Sequence, residues 1–132
     1  MQIGQSVYEG IPLFRLEGEL DQAAALILRE ALVACLDSKQ RALLLDVSGC
    51  SFVDSRGLSV LVLALHRQEA SGGWLGVVGA NPYILRLFDL IGLTDASAFK
   101  VFADLSEVSR VAAHSPGSVD RPGGSPTDLV PK

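Results

Sequence analysis

Asp54-Ser55-Arg56-Gly57 gathers a carboxylate, a hydroxyl and a guanidinium at one point of the chain, between an apolar stretch ending at Val53 and another that opens at Leu58. Upstream, Ala42 to Val47 is a short, nearly continuous apolar run that fits a strand covered on both faces. Downstream, Leu58 to Leu65 is almost wholly apolar and passes into His66, Arg67, Gln68 and Glu69, which reads as a mostly buried helix. A helix start presents unpaired backbone N–H groups and about half a positive charge. A phosphate ester on Ser55 would be stabilised there. The plainer alternative is that Asp54 or Ser55 only caps the helix, which contributes about 1 kcal/mol and needs no chemistry.

From Ser55, the residues Ser59, Val62 and His66 recur on one side of the helix, whereas Leu58, Leu61 and Leu65 face the core. The first set forms a polar strip with a small apolar centre. It is either a docking surface for a partner domain or a solvated helix edge. A serine between strand and helix also invites comparison with a hydrolase nucleophile. That elbow requires Gly two residues before the serine, where this chain has Val53, and the downstream histidines are His66, on the same helix, and His114. Neither a phosphate-binding P-loop nor a His-Glu-x-x-His zinc helix occurs. No catalytic residue and no metal ligand is assigned, and the chain is expected not to be an enzyme.

Cys35 and Cys50 are too few and too far apart for a zinc site. Cys35 falls on the apolar stripe of a helix and is expected to be buried; Cys50, next to Gly49, is expected to be the more exposed thiol.

Alternating elements must position this turn. Gln5 to Tyr8 and Pro12 to Glu17 read as a hairpin about Glu9-Gly10-Ile11, and Asp21 opens a helix continuing to about Leu36. After the Ser55 helix, Ser71-Gly72-Gly73 breaks the pattern and Trp74 to Val78 is a strand. Asn81-Pro82 starts a third helix with Pro at its first position, and Gly92 is expected to cap its end. Lys100 to Phe102 is a short strand, and Asp104 to His114 a last helix capped by Asp104 or Ser106. Alternation of this kind implies an α/β sheet with packed helices.

Of the 132 residues, 48% are hydrophobic, enough to bury a core in one domain. Residues 1–114 are assigned to that domain. From Ser115, Pro116, Pro122, Pro126 and Pro131 alternate with Gly and Ser, and residues 115–132 are expected to be a disordered tail. No run is apolar over the roughly 18 residues a membrane span requires, and no signal sequence is visible, so a cytoplasmic location is expected. With 15 acidic and 11 basic residues the net charge is −4, and no basic cluster marks a nucleic-acid partner.

Four segments, in order and at matching spacing, resemble the STAS family of sulfate-transporter and anti-sigma-factor-antagonist domains, with the bacterial antagonists the nearest group. These are Gly18-Glu19-Leu20-Asp21, Leu44-Leu45-Asp46-Val47-Ser48-Gly49, Phe52-Val53-Asp54-Ser55-Arg56-Gly57-Leu58 and Leu87-Phe88-Asp89-Leu90-Ile91-Gly92-Leu93. The resemblance covers about residues 3 to 110. It implies a single STAS-like α/β domain with a four- to five-stranded mixed sheet and about four helices. It also implies an anti-sigma-factor antagonist that binds an anti-sigma factor serine kinase when unphosphorylated. Phosphorylation at Ser55 ends the binding, and a serine phosphatase restores it. ATP and magnesium would belong to the kinase, and no cofactor is expected on this chain. Asp21 would lie at the same sheet end as Ser55, and Asp21, Asp54, Arg56, Gly57, Ser59, Val62 and His66 are the expected partner-binding residues. Arg56 replaces the small residue usual in the family and could pair with the phosphate or the partner. The alternative implied function is an interaction subunit of a transporter, lipid-transport or stress-sensing assembly.

Overall fold

The computed structural model describes residues 1–36 and 41–114; the expected tail, residues 115–132, lies outside them. Five strands form one sheet in sequence order: β1 (Gln2–Tyr8), β2 (Ile11–Leu20), β3 (Ala42–Val53), β4 (Trp74–Val78) and β5 (Phe99–Phe102). β1 and β2 are the antiparallel hairpin, and all later neighbours are parallel. Helices α1 (Gln22–Leu36), α2 (Ser55–Ala70), α3 (Pro82–Leu90) and α4 (Leu105–His114) alternate with the strands, and a 3₁₀ turn spans Leu93–Asp95. This is the mixed α/β architecture expected from the sequence.

The apolar run in β3 is continuous because both faces of the sheet are covered. Leu43, Leu45 and Val47 join Phe14, Leu16, Leu75, Val77 and Phe99 on the face packed by α1, α2 and α3. Leu44 joins Leu13, Val78 and Phe102 on the opposite face, where Val108 of α4 completes a smaller cluster. Phe88 fixes α3 to the sheet through an edge-on contact with Phe99, the ring centroids 5.3 Å apart.

Helix boundaries follow local chemistry. Asn81 caps α3 by accepting from Ile84 N at 2.8 Å, with Pro82 at the first helical position. Its C-cap is Ile91, and Gly92 (φ +81°) takes the left-handed turn one residue beyond. Asp104 accepts from Glu107 N at 3.2 Å, and Glu107 Oε1 accepts from Ala103 N at 2.7 Å, a reciprocal closure at the start of α4.

β2 and β3 run further than their apolar patterns, to Leu20 and Val53. Their pairing shifts register between Arg15 and Glu17 and between Gly18 and Glu19. These irregularities keep polar and Gly-containing segments in the sheet, so both strands reach the turns that open α1 and α2.

Candidate functional site

The parallel order β2, β3, β4, β5 sends each strand into the helix that follows it, so the starts of α1 to α4 lie at one end of the sheet. Leu20 and Val53 are register partners, and Asp54 N donates to Leu20 O at 3.1 Å. The α1 and α2 starts are therefore stitched side by side. Asp21 and Ser55, expected at one sheet end, are brought to it.

At the start of α2 the cap is Asp54. Its Oδ1 accepts from Arg56 N and Gly57 N, both at 3.0 Å. Ser55 is thus the first helical residue rather than the cap, and its exposed side chain makes no hydrogen bond among the described residues. Its serine neighbours are engaged: Ser48 Oγ donates to Asp46 Oδ1 at 2.7 Å, Ser51 Oγ to Gly18 O at 3.4 Å, and Ser59 Oγ to Ser55 O at 3.0 Å. Asp21 caps α1 by accepting from Ala24 N at 3.0 Å.

Ser59 and His66 are exposed and Val62 is half-buried, so the strip along α2 reaches solvent, while Leu61 and Leu65 enter the core with Leu58 packed beside them. Gly57 does not join that strip. It is buried against Leu20, where a Cβ would come 2.7 Å from Cγ and 2.9 Å from the carbonyl oxygen. Its place is to let α2 approach β2, beneath the exposed strip.

Arg56 lines a groove of about 370 Å³ between α1 and α2, with Gln22, Ala25, Leu26 and Arg29 on one side and Ser55, Arg56, Ser59 and Val60 on the other. Arg29 was not legible as a site residue. The stripe Gln22, Ala25, Leu26, Arg29 has helical spacing, but the sequence does not say that this stripe of α1, rather than another, turns toward α2. Leu26 and its neighbour Ile27 leave large apolar side chains exposed beside the groove. A second exposed feature is the stacked pair Phe52 and Tyr83, centroids 6.4 Å apart, joining the end of β3 to the start of α3.

The thiol expectations are reversed. Cys50 is 2% exposed, with Sγ donating to Phe52 O at 3.4 Å, and Cys35 is the half-buried one. Burial pushes both thiols above their ordinary pKa, against the lowered value a reactive cysteine needs. Cys50 is inside because the irregular β2/β3 pairing carries β3 on to Val53, with Cys50 opposite Gly18. Among the described residues no cluster of His, Cys, Asp and Glu could hold a metal, and no helix is long and apolar enough to cross a membrane.

Residues 11–102 match the family model described as Mlab, STAS domain. The chain is 30% identical over 94 residues to the anti-sigma F factor antagonist of Paenibacillus polymyxa, covering 70% of this chain and 80% of that one. It is 38% identical over 80 residues to the anti-sigma-B factor antagonist of Bacillus subtilis, covering 59% and 71%. Among solved structures, the Bacillus cell fate determinant SpoIIAA in its phosphorylated form aligns with a TM-score of 0.68 at 20% identity, over 83% of this chain and 99% of that one. Its unphosphorylated form aligns equally, at 0.68 and 19% identity, over 84% and 98%. With the sheet order, the helix starts and the Asp-Ser-x-Gly turn all in place, the chain belongs to the STAS domain family and is of the anti-sigma-factor-antagonist type.

Proposed function

We propose that this chain binds an anti-sigma factor serine kinase through the α1/α2 edge and is switched off by phosphorylation of Ser55. The observation that carries the reading is the state of the Ser55 hydroxyl: exposed, at the first position of α2, and without the internal hydrogen bonds that occupy Ser48, Ser51 and Ser59. A hydroxyl already donating must give up that bond before it can attack; Ser55 has none to give up.

The chemistry is an in-line transfer. Ser55 Oγ attacks the γ-phosphorus of ATP held with magnesium by the kinase, the bond to the β,γ-bridging oxygen breaks, ADP leaves, and the hydroxyl proton passes to a base of the kinase. The domain supplies position. The Asp54 cap fixes the turn, Gly57 lets the helix sit against Leu20, and the strip Ser59, Val62 and His66 with Asp21 and Arg56 gives the partner a surface to read. Hydrolysis by a separate serine phosphatase returns the hydroxyl and inorganic phosphate. The chain itself takes no cofactor in this scheme and needs no contact with nucleic acid.

The test is incubation with the cognate kinase and ATP, followed by phosphosite mass spectrometry. Label is expected on Ser55, and Ser55→Ala should abolish it while leaving the fold intact. Label on Ser48 or Ser59, or a fully labelled Ser55→Ala variant, would overturn the assignment.

A further inference from the structure

We infer that Arg29 of α1 and Arg56 of α2 form an intramolecular clamp for the phosphate on Ser55, closing the α1/α2 groove in the phosphorylated state. The clamp rests on the Ser55 reading above and specifies how this chain handles the charge.

The groove beside Ser55 has charged residues of one sign only. Of its lining residues, Arg29 and Arg56 are the charged ones, on a chain whose net charge is −4. Both side chains are exposed, and neither has an ion-pair partner among the described residues. The carboxylates that open these two helices, Asp21 and Asp54, already accept from backbone N–H groups as caps. Two guanidiniums from neighbouring helices, lining one groove together with an unengaged hydroxyl, suit a phosphomonoester, because the planar guanidinium fork pairs two N–H donors with two phosphate oxygens.

Closure has two consequences for a partner. The arginines turn inward to the phosphate and no longer present donors outward. The apolar floor at Ala25 and Val60, both buried, is covered by a charged lid. The phosphorylated surface then differs in shape as well as charge, with no change in the sheet.

The experiment uses the full chain with phosphoserine installed at position 55 by genetic encoding, so that it does not depend on any kinase. The phosphate is titrated by ³¹P NMR in the parent and in Arg29→Gln, Arg56→Gln and Arg86→Gln, the last an exposed arginine of α3 outside the groove. The second ionisation of phosphoserine is ordinarily near pH ~6, and the α2 start lowers it equally in all four proteins. The clamp predicts a rise of roughly one unit in the Arg29 and Arg56 variants and none in the Arg86 variant, with amide spectra confirming the fold. An unchanged titration in Arg29→Gln, or an equal rise in Arg86→Gln, overturns it. If Arg29→Gln weakens the unphosphorylated chain's binding to the kinase but leaves the titration unchanged, Arg29 serves an acidic partner group instead and the clamp is wrong. Failure of the kinase to label Ser55 would sink the functional reading while leaving this titration interpretable.

Discussion

A methyl group on Gly57 would stand 2.7 Å from Leu20 Cγ and 2.9 Å from Leu20 O. The side chain could move, but the oxygen accepts from Asp54 N and is fixed in the seam between the α1 and α2 starts. Gly57→Ala should therefore destabilise the fold by about 1–3 kcal/mol, as overpacking does, despite the better helix propensity of alanine. Its urea midpoint should fall, with an unchanged slope. Asp54 separates capping from charge. Asp54→Ala removes the acceptor for two N–H groups and should cost about 1 kcal/mol, whereas Asp54→Asn keeps a capping oxygen and should be nearly neutral. If Asp54→Asn keeps its unfolding midpoint but loses kinase affinity in calorimetry, the carboxylate also faces the partner. If both variants unfold alike, the assigned capping role is wrong.

The second face of the sheet shows what a strand owes to its neighbours. Arg15 Nε donates to Asp46 Oδ2 at 3.1 Å, and Ser48 donates twice to Asp46 Oδ1, from N at 3.0 Å and Oγ at 2.7 Å. Burial alone would raise the Asp46 carboxyl, but the Ser48 hydrogen bonds and the Arg15 guanidinium together hold it below its ordinary value. A carboxylate lowered by folding contributes its full stability above the unfolded pKa of about 3.9 and loses it as the pH falls through the folded pKa. Asp46→Asn should therefore be less stable than the parent at neutral pH, and the gap should narrow below about pH 4 in thermal scans. A gap independent of pH would show that the hydrogen bonds matter and the charge does not. Such pairings also mark where sequence reading stops. The β3 core was legible from Ala42 to Val47 because its apolar residues are consecutive. The apolar pattern does not mark its extension beyond Val47, where Gly49, Cys50, Phe52 and Val53 pair with β2 across two register shifts that leave Ser48 and Ser51 without register partners. Gln68 is similar: it sits in the polar end of the α2 sequence, yet it is 1% exposed, its amide donating to Trp74 O at 2.9 Å. Only the packing of α2 on β4 reveals that bond. Asp21, Asp54 and Ser55 could be grouped from sequence because the family resemblance brings the first loop to Ser55; Arg29 could not, because that grouping requires the rotation of α1 about its axis.

At the scale of the molecule, phosphorylation adds roughly −1.5 to −2 charge to a chain already at −4. The charge would enter at a helix start, where the dipole favours an anion, and beside a groove whose charged side chains are both positive. Nothing in that setting asks the sheet to move. The core faces of α1 and α2 are set by Leu28, Leu32, Leu61 and Leu65, all fully or nearly fully buried, and close-packed cores resist small rearrangements. At an interface the balance differs, because the phosphate must shed water, and a buried charge without a matched partner costs several kcal/mol. About 2.7 kcal/mol already weakens binding a hundredfold. Phosphorylation should therefore act by local blockade: calorimetric titration of the kinase should give at least a hundredfold weaker affinity for the phosphorylated chain. Amide shifts should be confined to the starts of α1 and α2 and the groove between them. Equal affinities would remove the switch, and shifts spread through β3 and β4 would mean that the domain answers the phosphate by refolding rather than by presenting it.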